Sequence, residues 1–353
     1  MNASRLRGIS PGVLFAFLAA ALFGASTPCA KLLLGETHPV LMAGLLYFGS
    51  GIGLSLLRRL RGATAEAPLT RRDAPWLGGA VFFGGILGPV LLMAGLRTTP
   101  GSSASLLLNL EGVFTALLAW FVFRENFDRR IALGMLLIVT GGMALSCSPG
   151  VAVRFPLGAL AISGACLCWG IDNNLTQKVS GGDPLQVAAI KGAVSASANL
   201  LGAALIGARW PTLPVIGLAL VVGFLGYGVS LSLFVVALRH LGTARTGAYF
   251  SVAPFIGAAV SLPLLGEPVA PSLIVAALLM AAGVWLHVTE RHEHGHEHER
   301  VAHAHRHVHD EQHQHVHALG DPAGEPHTHD HVHERMVHSH PHYPDLHHRH
   351  GHG

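Results

Sequence analysis

Three ionisable side chains interrupt long apolar stretches of the sequence: Glu111, Asp172 and Lys191. A charge at the depth of a hydrocarbon layer costs roughly 2.5–3.5 kcal/mol on insertion scales, so such residues are kept where they pair, exchange protons or meet a solute. Asp172 and Lys191 have the types of a buried ion pair, which can serve a solute or simply neutralise charge. Glu111 has the type of a proton-exchanging group, because a carboxyl in a low-dielectric setting can hold or release a proton. Asn173, Asn174 and Gln177 follow Asp172 within one helical stretch, and that many polar side chains need partners or a hydrated cavity. Asn109, Tyr249 and Asn199 are further hydrogen-bonding groups in apolar runs that could bond a substrate, each reading first as a helix–helix contact.

A second chemistry, metal ligation, is written at the other end of the chain. From Arg291 the sequence reads RHEHGHEHER, and the spacing continues through His292, His294, His296, His298, His303, His305, His307, His309, His313, His315, His317, His327, His329, His331 and His333. Histidines two residues apart fall on one side of an extended segment, and neutral imidazole suits Zn, Ni, Cu and Co. The tail is expected to bind such divalent metals, as a regulator, as a buffer or incidentally, while no cofactor is expected to be required. Its His, Glu and Asp, with Pro322, Pro326, Pro341 and Pro344, leave little to bury, which predicts disorder without a ligand.

The elements that must position these groups follow from composition. Half of the residues are hydrophobic and only 12% are charged, with a mean hydropathy of +0.46, a balance that excludes an ordinary soluble domain. Of the 25 histidines, 22 lie at or beyond Glu290, so the rest of the chain is still more apolar than the average. Cys29, Cys147, Cys166 and Cys168 all sit in apolar runs and read as small packing side chains rather than a disulfide framework. A helix needs about 20 apolar residues to cross a bilayer. Ten runs qualify, approximately 11–34, 39–58, 75–96, 102–123, 131–148, 156–177, 184–207, 213–237, 246–265 and 271–289. The expected class is an all-α integral membrane protein with a disordered His-rich C-terminal tail at 290–353.

With the N-terminus inside, thirteen Lys and Arg (5, 7, 58, 59, 61, 71, 72, 124, 129, 130, 178, 239 and 245) fall on the cytoplasmic side, against Lys31, Arg97, Arg154 and Arg209 opposite. That asymmetry places both termini in the cytoplasm of a multi-pass protein of the inner (plasma) membrane. In that topology Asp172 and Lys191, on successive spans of opposite direction, fall at the same depth and can pair.

The chain also repeats itself. At an offset of 142, GLRTTPGSSASLLLNLEGVFTALLAWFVFREN lies over ALRHLGTARTGAYFSVAPFIGAAVSLPLLGEP, matching Leu96 with Leu238, Arg97 with Arg239, Ala116 with Ala258 and Glu125 with Glu267. Gly141 and Gly283 match beyond it, and FGASTP (23–28) lies over WGIDNN (169–174) at an offset of 146. Five spans per half makes the second half inverted, a plan that lets two halves rock about a midplane site. GSGIG at 49–53 lacks the Lys-Ser/Thr of a phosphate loop and, with Gly84 and Gly88, reads as close helix contact. Walker, nucleophile-elbow and zinc-protease motifs are not found, so no enzyme is expected.

The doubled pattern of an apolar span ending in Glu125 or Glu267, followed by a span carrying TGGMAL (140–145) or AAGVWL (281–286), resembles the EamA repeat of the drug/metabolite transporter superfamily. The resemblance covers 12–148 and 156–289 as two five-helix repeats and leaves out the tail. It implies a ten-helix inner-membrane carrier of small metabolites, amino acids or drugs, often an exporter, with Glu125 and Glu267 as gating or loop-ordering residues. The alternative is a transition-metal (Ni, Co, Zn or Cu) exporter whose tail gathers its substrate. A metal path would place ligands along several spans, and His287 is the one histidine within them, which favours the organic carrier. The expected partners are a small-molecule substrate, the lipid bilayer and metals on the tail, with no nucleic acid and a homodimer as the assembly considered.

Overall fold

The computed structural model describes residues 11–35, 37–61, 69–123, 129–146, 157–179, 183–234, 236–237, 246 and 249–289, and in the tail 293–298, 301–307, 327–333 and 336–341. Its membrane-compatible part is helical. The helices are α1 (Pro11–Leu34), α2 (Pro39–Arg61), α3 (Ala74–Ala80), α4 (Gly88–Leu96), α5 (Gly101–Leu107), α6 (Leu110–Phe123), α7 (Arg129–Ser146), α8 (Leu157–Gln177), α9 (Pro184–Leu205), α10 (Leu213–Gly223), α11 (Ala253–Leu265) and α12 (Pro271–Val288). Two π-helical segments extend α-helices, Val81–Leu87 between α3 and α4, and Phe224–Val229 after α10. A helix thus occupies each of the ten apolar runs. Among the described residues, six stretches are long and apolar enough to cross a membrane: Gly12–Leu34, Pro39–Leu60, Ala74–Leu96, Gly101–Val122, Leu185–Leu205 and Leu213–Phe234.

Local chemistry sets the boundaries. Proline opens α2, α9 and α12 at the first helical position, where its missing N–H costs nothing and its fixed φ suits the helix. At α9 the side chain of Asp183 also accepts from the backbone N–H of Leu185 at 3.0 Å, a cap that satisfies an otherwise orphaned donor. α11 ends at Gly266, whose φ of +64° is a left-handed turn that a side chain would strain.

The core is built on contacts between corresponding elements of the two repeats: α2 packs on α9, and α7 on α12. These pairings are glycine contacts. Gly51 and Gly192 meet backbone to backbone, Gly141 seats Met280, and Gly283 seats the carbonyl of Gly134 and the side chain of Ile138. Between apolar helices in lipid, where burial gives no preference for protein over lipid, such close approach is what holds elements together. Large apolar side chains face outward along the helices, among them Leu60, Leu157, Leu205 and Leu213, each more than three-quarters exposed.

Four segments of the tail are described. Their backbones form two antiparallel ladders, β1 (Glu293–His298) with β4 (Met336–Pro341), and β2 (Val301–His307) with β3 (His327–His333). The alternation of His-x-His has the period of a strand, which accounts for this local preference. The register sets His303 opposite His331, His305 opposite His329 and His307 opposite His327, and His294 opposite His340 and His296 opposite His338. His292, His309, His313, His315 and His317 lie outside the described residues, as do Glu125 and Cys147.

Candidate functional site

The site begins with an irregularity in a helix. At Val81–Leu87 the ladder widens to π geometry, and the N–H of Gly88 reaches back to the carbonyl of Phe83. Widening re-aims carbonyl groups away from the helix ladder, and here side chains of three other helices take them. Tyr47 of α2 donates its hydroxyl to the carbonyl of Gly84 at 2.8 Å, Trp169 of α8 donates its indole N–H to the same oxygen at 3.0 Å, and Asn199 of α9 donates to the carbonyl of Gly85 at 3.1 Å. A polar backbone segment inside a membrane protein must find such partners.

Around this segment the expected pair of Asp172 and Lys191 forms. Lys191 Nζ lies 2.6 Å from Asp172 Oδ1 and 2.8 Å from Oδ2, with Thr176 Oγ1 3.3 Å away and itself donating to Asp172 Oδ1 at 2.8 Å. Both charged residues are buried, at 7% and 9% exposure. The missing side chains of the π segment make the room: a Cβ at Gly84 would overlap the Asp172 carboxylate, and one at Gly85 the hydroxyl of Ser195. Lys191, Ser195 and Asn199 recur every four residues along α9, which sets all three on one helical stripe. Ser195 Oγ is fully buried without a hydrogen-bond partner.

Glu111 joins the pair from a second irregularity. The run expected as one span is broken at Leu108–Asn109, between α5 and α6, and Glu111 sits in the first turn of α6. Its Oε1 accepts from Asn173 Nδ2 at 2.8 Å, the residue after Asp172, and Glu111 interacts electrostatically with both Asp172 and Lys191. Broken helices near the middle of a transporter are common sites of solute and ion contact. Other expected groups hold the frame. Asn109 donates to the carbonyl of Leu106 at 2.9 Å across the break, and Asn174 to the carbonyls of Gly170 at 2.8 Å and Thr115 at 3.3 Å. Tyr249 is not brought to the cluster; its ring packs on Phe17 at 5.0 Å.

The description of an EamA-like transporter family fits residues 10–147 and again 156–289. The chain belongs to this family. It is therefore a multi-pass membrane transporter of the drug/metabolite transporter superfamily. An uncharacterized transporter of Methanothermobacter thermautotrophicus is 27% identical over 250 residues, 65% of this chain and 72% of that protein. The uncharacterized transporter YetK of Bacillus subtilis is 28% identical over 128 residues, 36% of this chain and 38% of that protein. A crystal structure covering 79% of this chain and 96% of its own superposes with a TM-score of 0.59 at 17% identity, a likeness of fold.

The second EamA unit of the transporter reproduces both irregularities. Its π segment, Phe224–Val229, falls where the offset of 142 carries Val81–Leu87, and its break at Ser251–Val252 falls near where the offset carries Leu108–Asn109. The packing corresponds too: Gly84 abuts Asp172, and Gly226, its counterpart at that offset, abuts Ser26, which the offset of 146 pairs with Asp172. Neither π segment is legible as such in the sequence, because both are tertiary choices; the signal was Gly84-Gly85 and Gly226 recurring at the repeat offset.

At the opposite ends of these helices, hydrogen bonds join several helix termini. Glu267, delivered by the turn at Gly266, accepts from the backbone N–H of Gly101 at 2.5 Å, and from the N–H and hydroxyl of Ser102 at 2.9 and 2.6 Å. Lys31 Nζ beside it donates to the carbonyls of Leu96 and Thr99 at 2.6 and 2.7 Å. These bonds join the ends of α1, α4, α5 and α11. At the end nearer the charged cluster, Arg58 and Asp183, 3.4 Å apart, join α2 to α9.

Proposed function

We propose that the chain is a secondary carrier that exports small organic metabolites, amino acids or drugs across the inner membrane by alternating access, with ten spans arranged as two inverted five-helix repeats and both termini cytoplasmic. The observation that carries this reading is that, among the described residues, a buried Asp–Lys pair occupies one of two corresponding arms and a serine the other. A buried ion pair contributes little net stability, because desolvation offsets the Coulombic attraction. Where Asp172 sits against Gly84, its counterpart Ser26 sits against Gly226; the fold closes the same contact with a hydroxyl. A charge the packing does not need is retained for what it binds. Glu267 and Lys31 bond the ends of α1, α4, α5 and α11, and Arg58 and Asp183 join α2 to α9 at the end nearer the charged cluster, so each end carries polar contacts that alternating access can break and re-form.

Glu111→Gln should lower transport by about tenfold or more while leaving the amount of folded protein in the membrane nearly unchanged, and Asp172→Asn, which leaves Lys191 buried without its carboxylate, should lower both transport per folded molecule and the amount of folded protein. Full transport by both variants would remove the cluster from the mechanism. The organic reading is preferred to metal export because no group of three or more metal-ligating side chains occurs among the described residues. The tail acts on this reading as a cytoplasmic metal-binding arm that regulates or buffers. Its binding of Zn, Ni, Cu or Co weakens as pH drops below roughly 6, since imidazole must be neutral to ligate.

A further inference from the structure

The two ladders of the tail share one register. β1 ends at His298 and β2 begins at Val301, three residues on; their partners, Met336 and His333, are also three residues apart. The pairs of residues between the ladders are Glu299-Arg300 on one side and Glu334-Arg335 on the other. Read in opposite directions, these are complementary in charge, as the two sides of one antiparallel ladder are expected to be.

The histidines change parity at that gap. They take even positions in β1 and β4 and odd positions in β2 and β3. Side chains along a strand alternate between faces with period two, and directly opposed residues share a face. In one register, therefore, the pairs His303–His331, His305–His329 and His307–His327 fall on one face, and the pairs His294–His340 and His296–His338 on the other. The two sets also differ in spacing. Opposed pairs alternate along an antiparallel ladder between a wide kind, with Cα atoms about 5.5 Å apart, and a close kind, about 4.5 Å apart, so each parity is of a single kind.

We propose, resting on the reading of the tail as a metal-binding arm, that the arm holds two separate transition-metal sites, one on each face of a single hairpin. Histidines of β2 and β3 take one divalent ion, and His294, His296, His338 and His340 take a second. Along a strand such histidines recur about every 6.8 Å, and across the strands they stand about 4.5–5.5 Å apart. Four imidazoles at those corners suit one ion held over their middle in the four-coordinate manner of Zn, with Zn–N bonds of about 2.0–2.1 Å. An all-imidazole set takes Zn, Ni, Cu or Co in preference to Mg or Ca, which favour oxygen ligands. Among the described residues no three ligating side chains already converge; the ladders supply the register, and the ion draws the imidazoles together.

The test counts the Zn ions that the purified full-length chain retains in detergent against a competing chelator, at about pH 7.5, where imidazole is neutral. The unaltered chain should retain two. Replacing the histidines of β2 (His303→Asn, His305→Asn and His307→Asn) should leave one, and replacing their partners in β3 (His327→Asn, His329→Asn and His331→Asn) should also leave one. All six replacements together should still leave one, because both triplets serve the same ion. The β2 replacements combined with His294→Asn and His296→Asn should leave none. If each strand binds metal by itself, the combined β2 and β3 variant loses the sum of the two separate losses; the paired sites then fall and the metal-binding arm stands. If the unaltered chain retains no more Zn than the chain truncated after Glu290, both fall.

Discussion

The two arms that flank the π segments share a skeleton and differ in chemistry. In one, Gly84 receives the Asp172 carboxylate, Trp169 reaches the π carbonyl, and Glu111 opens the helix after the break. In the other, Gly226 receives Ser26, Phe23 stands where Trp169 would, and Ala253 opens the helix after the break. Lys191 precedes Gly192 as Ser50 precedes Gly51, and those two glycines touch. The neutral arm shows what this fold needs for packing: small residues, a widened helix and a hydroxyl. What the charged arm adds is surplus to that packing, which is the ground on which we assign it to the solute.

The hardest blow to that comparison is to unpair the charges. Lys191→Met leaves Asp172 buried beside Gly84 and should destabilise the protein by about 3–5 kcal/mol, read as lost membrane abundance and a lower Tm in detergent. An abundance near normal would mean that water already reaches Asp172 and that the cluster is more open than its burial indicates.

Next comes a matched pair of glycine replacements. Gly84→Ala and Gly226→Ala each overlap a neighbouring side chain, so both should cost about 1–3 kcal/mol of stability through overpacking. Only Gly84→Ala displaces the carboxylate, so transport per folded molecule should fall several-fold more with Gly84→Ala than with Gly226→Ala. Equal transport losses would make the two arms functionally alike.

Smaller again is the loss at the tied end. Glu267→Ala removes the acceptor of three donors at Gly101 and Ser102 and should lower stability by about 1–2 kcal/mol. Glu267→Gln should keep part of that, since an amide oxygen can still accept. Smallest is truncation after Glu290, which should change the Tm of the helical core by no more than about 0.5 kcal/mol in equivalent stability and leave transport of an organic solute intact, while removing any dependence of its rate on added Zn or Ni. Loss of all transport on truncation would return the tail to the solute path.

Much of this arrangement was legible in the sequence because apolar length and charge placement are local signals. The Asp172–Lys191 pair followed from two successive runs of opposite direction, and the offset of 142 already carried the correspondence that the π segments later display. The rest depends on contacts no single run contains. Asn109 and Tyr249 read as helix–helix contacts before solute ligands, and Asn109 bonds the carbonyl of Leu106 at the break while Tyr249 packs on Phe17; polarity in an apolar run marks a need for a partner without saying which. Gly84 read as a helix-contact glycine, and only the position of the Asp172 carboxylate shows what it makes room for.

The most direct test is to rewrite the charged arm as the neutral one. Asp172→Ser with Lys191→Ser, reconstituted in proteoliposomes, should yield a protein whose Tm lies within a few degrees of the unaltered chain but whose uptake of the identified organic solute is at background. A double variant that folds and transports normally would contradict the assignment of the charged arm to the solute, and one that fails to fold would show that the two arms are not interchangeable in packing.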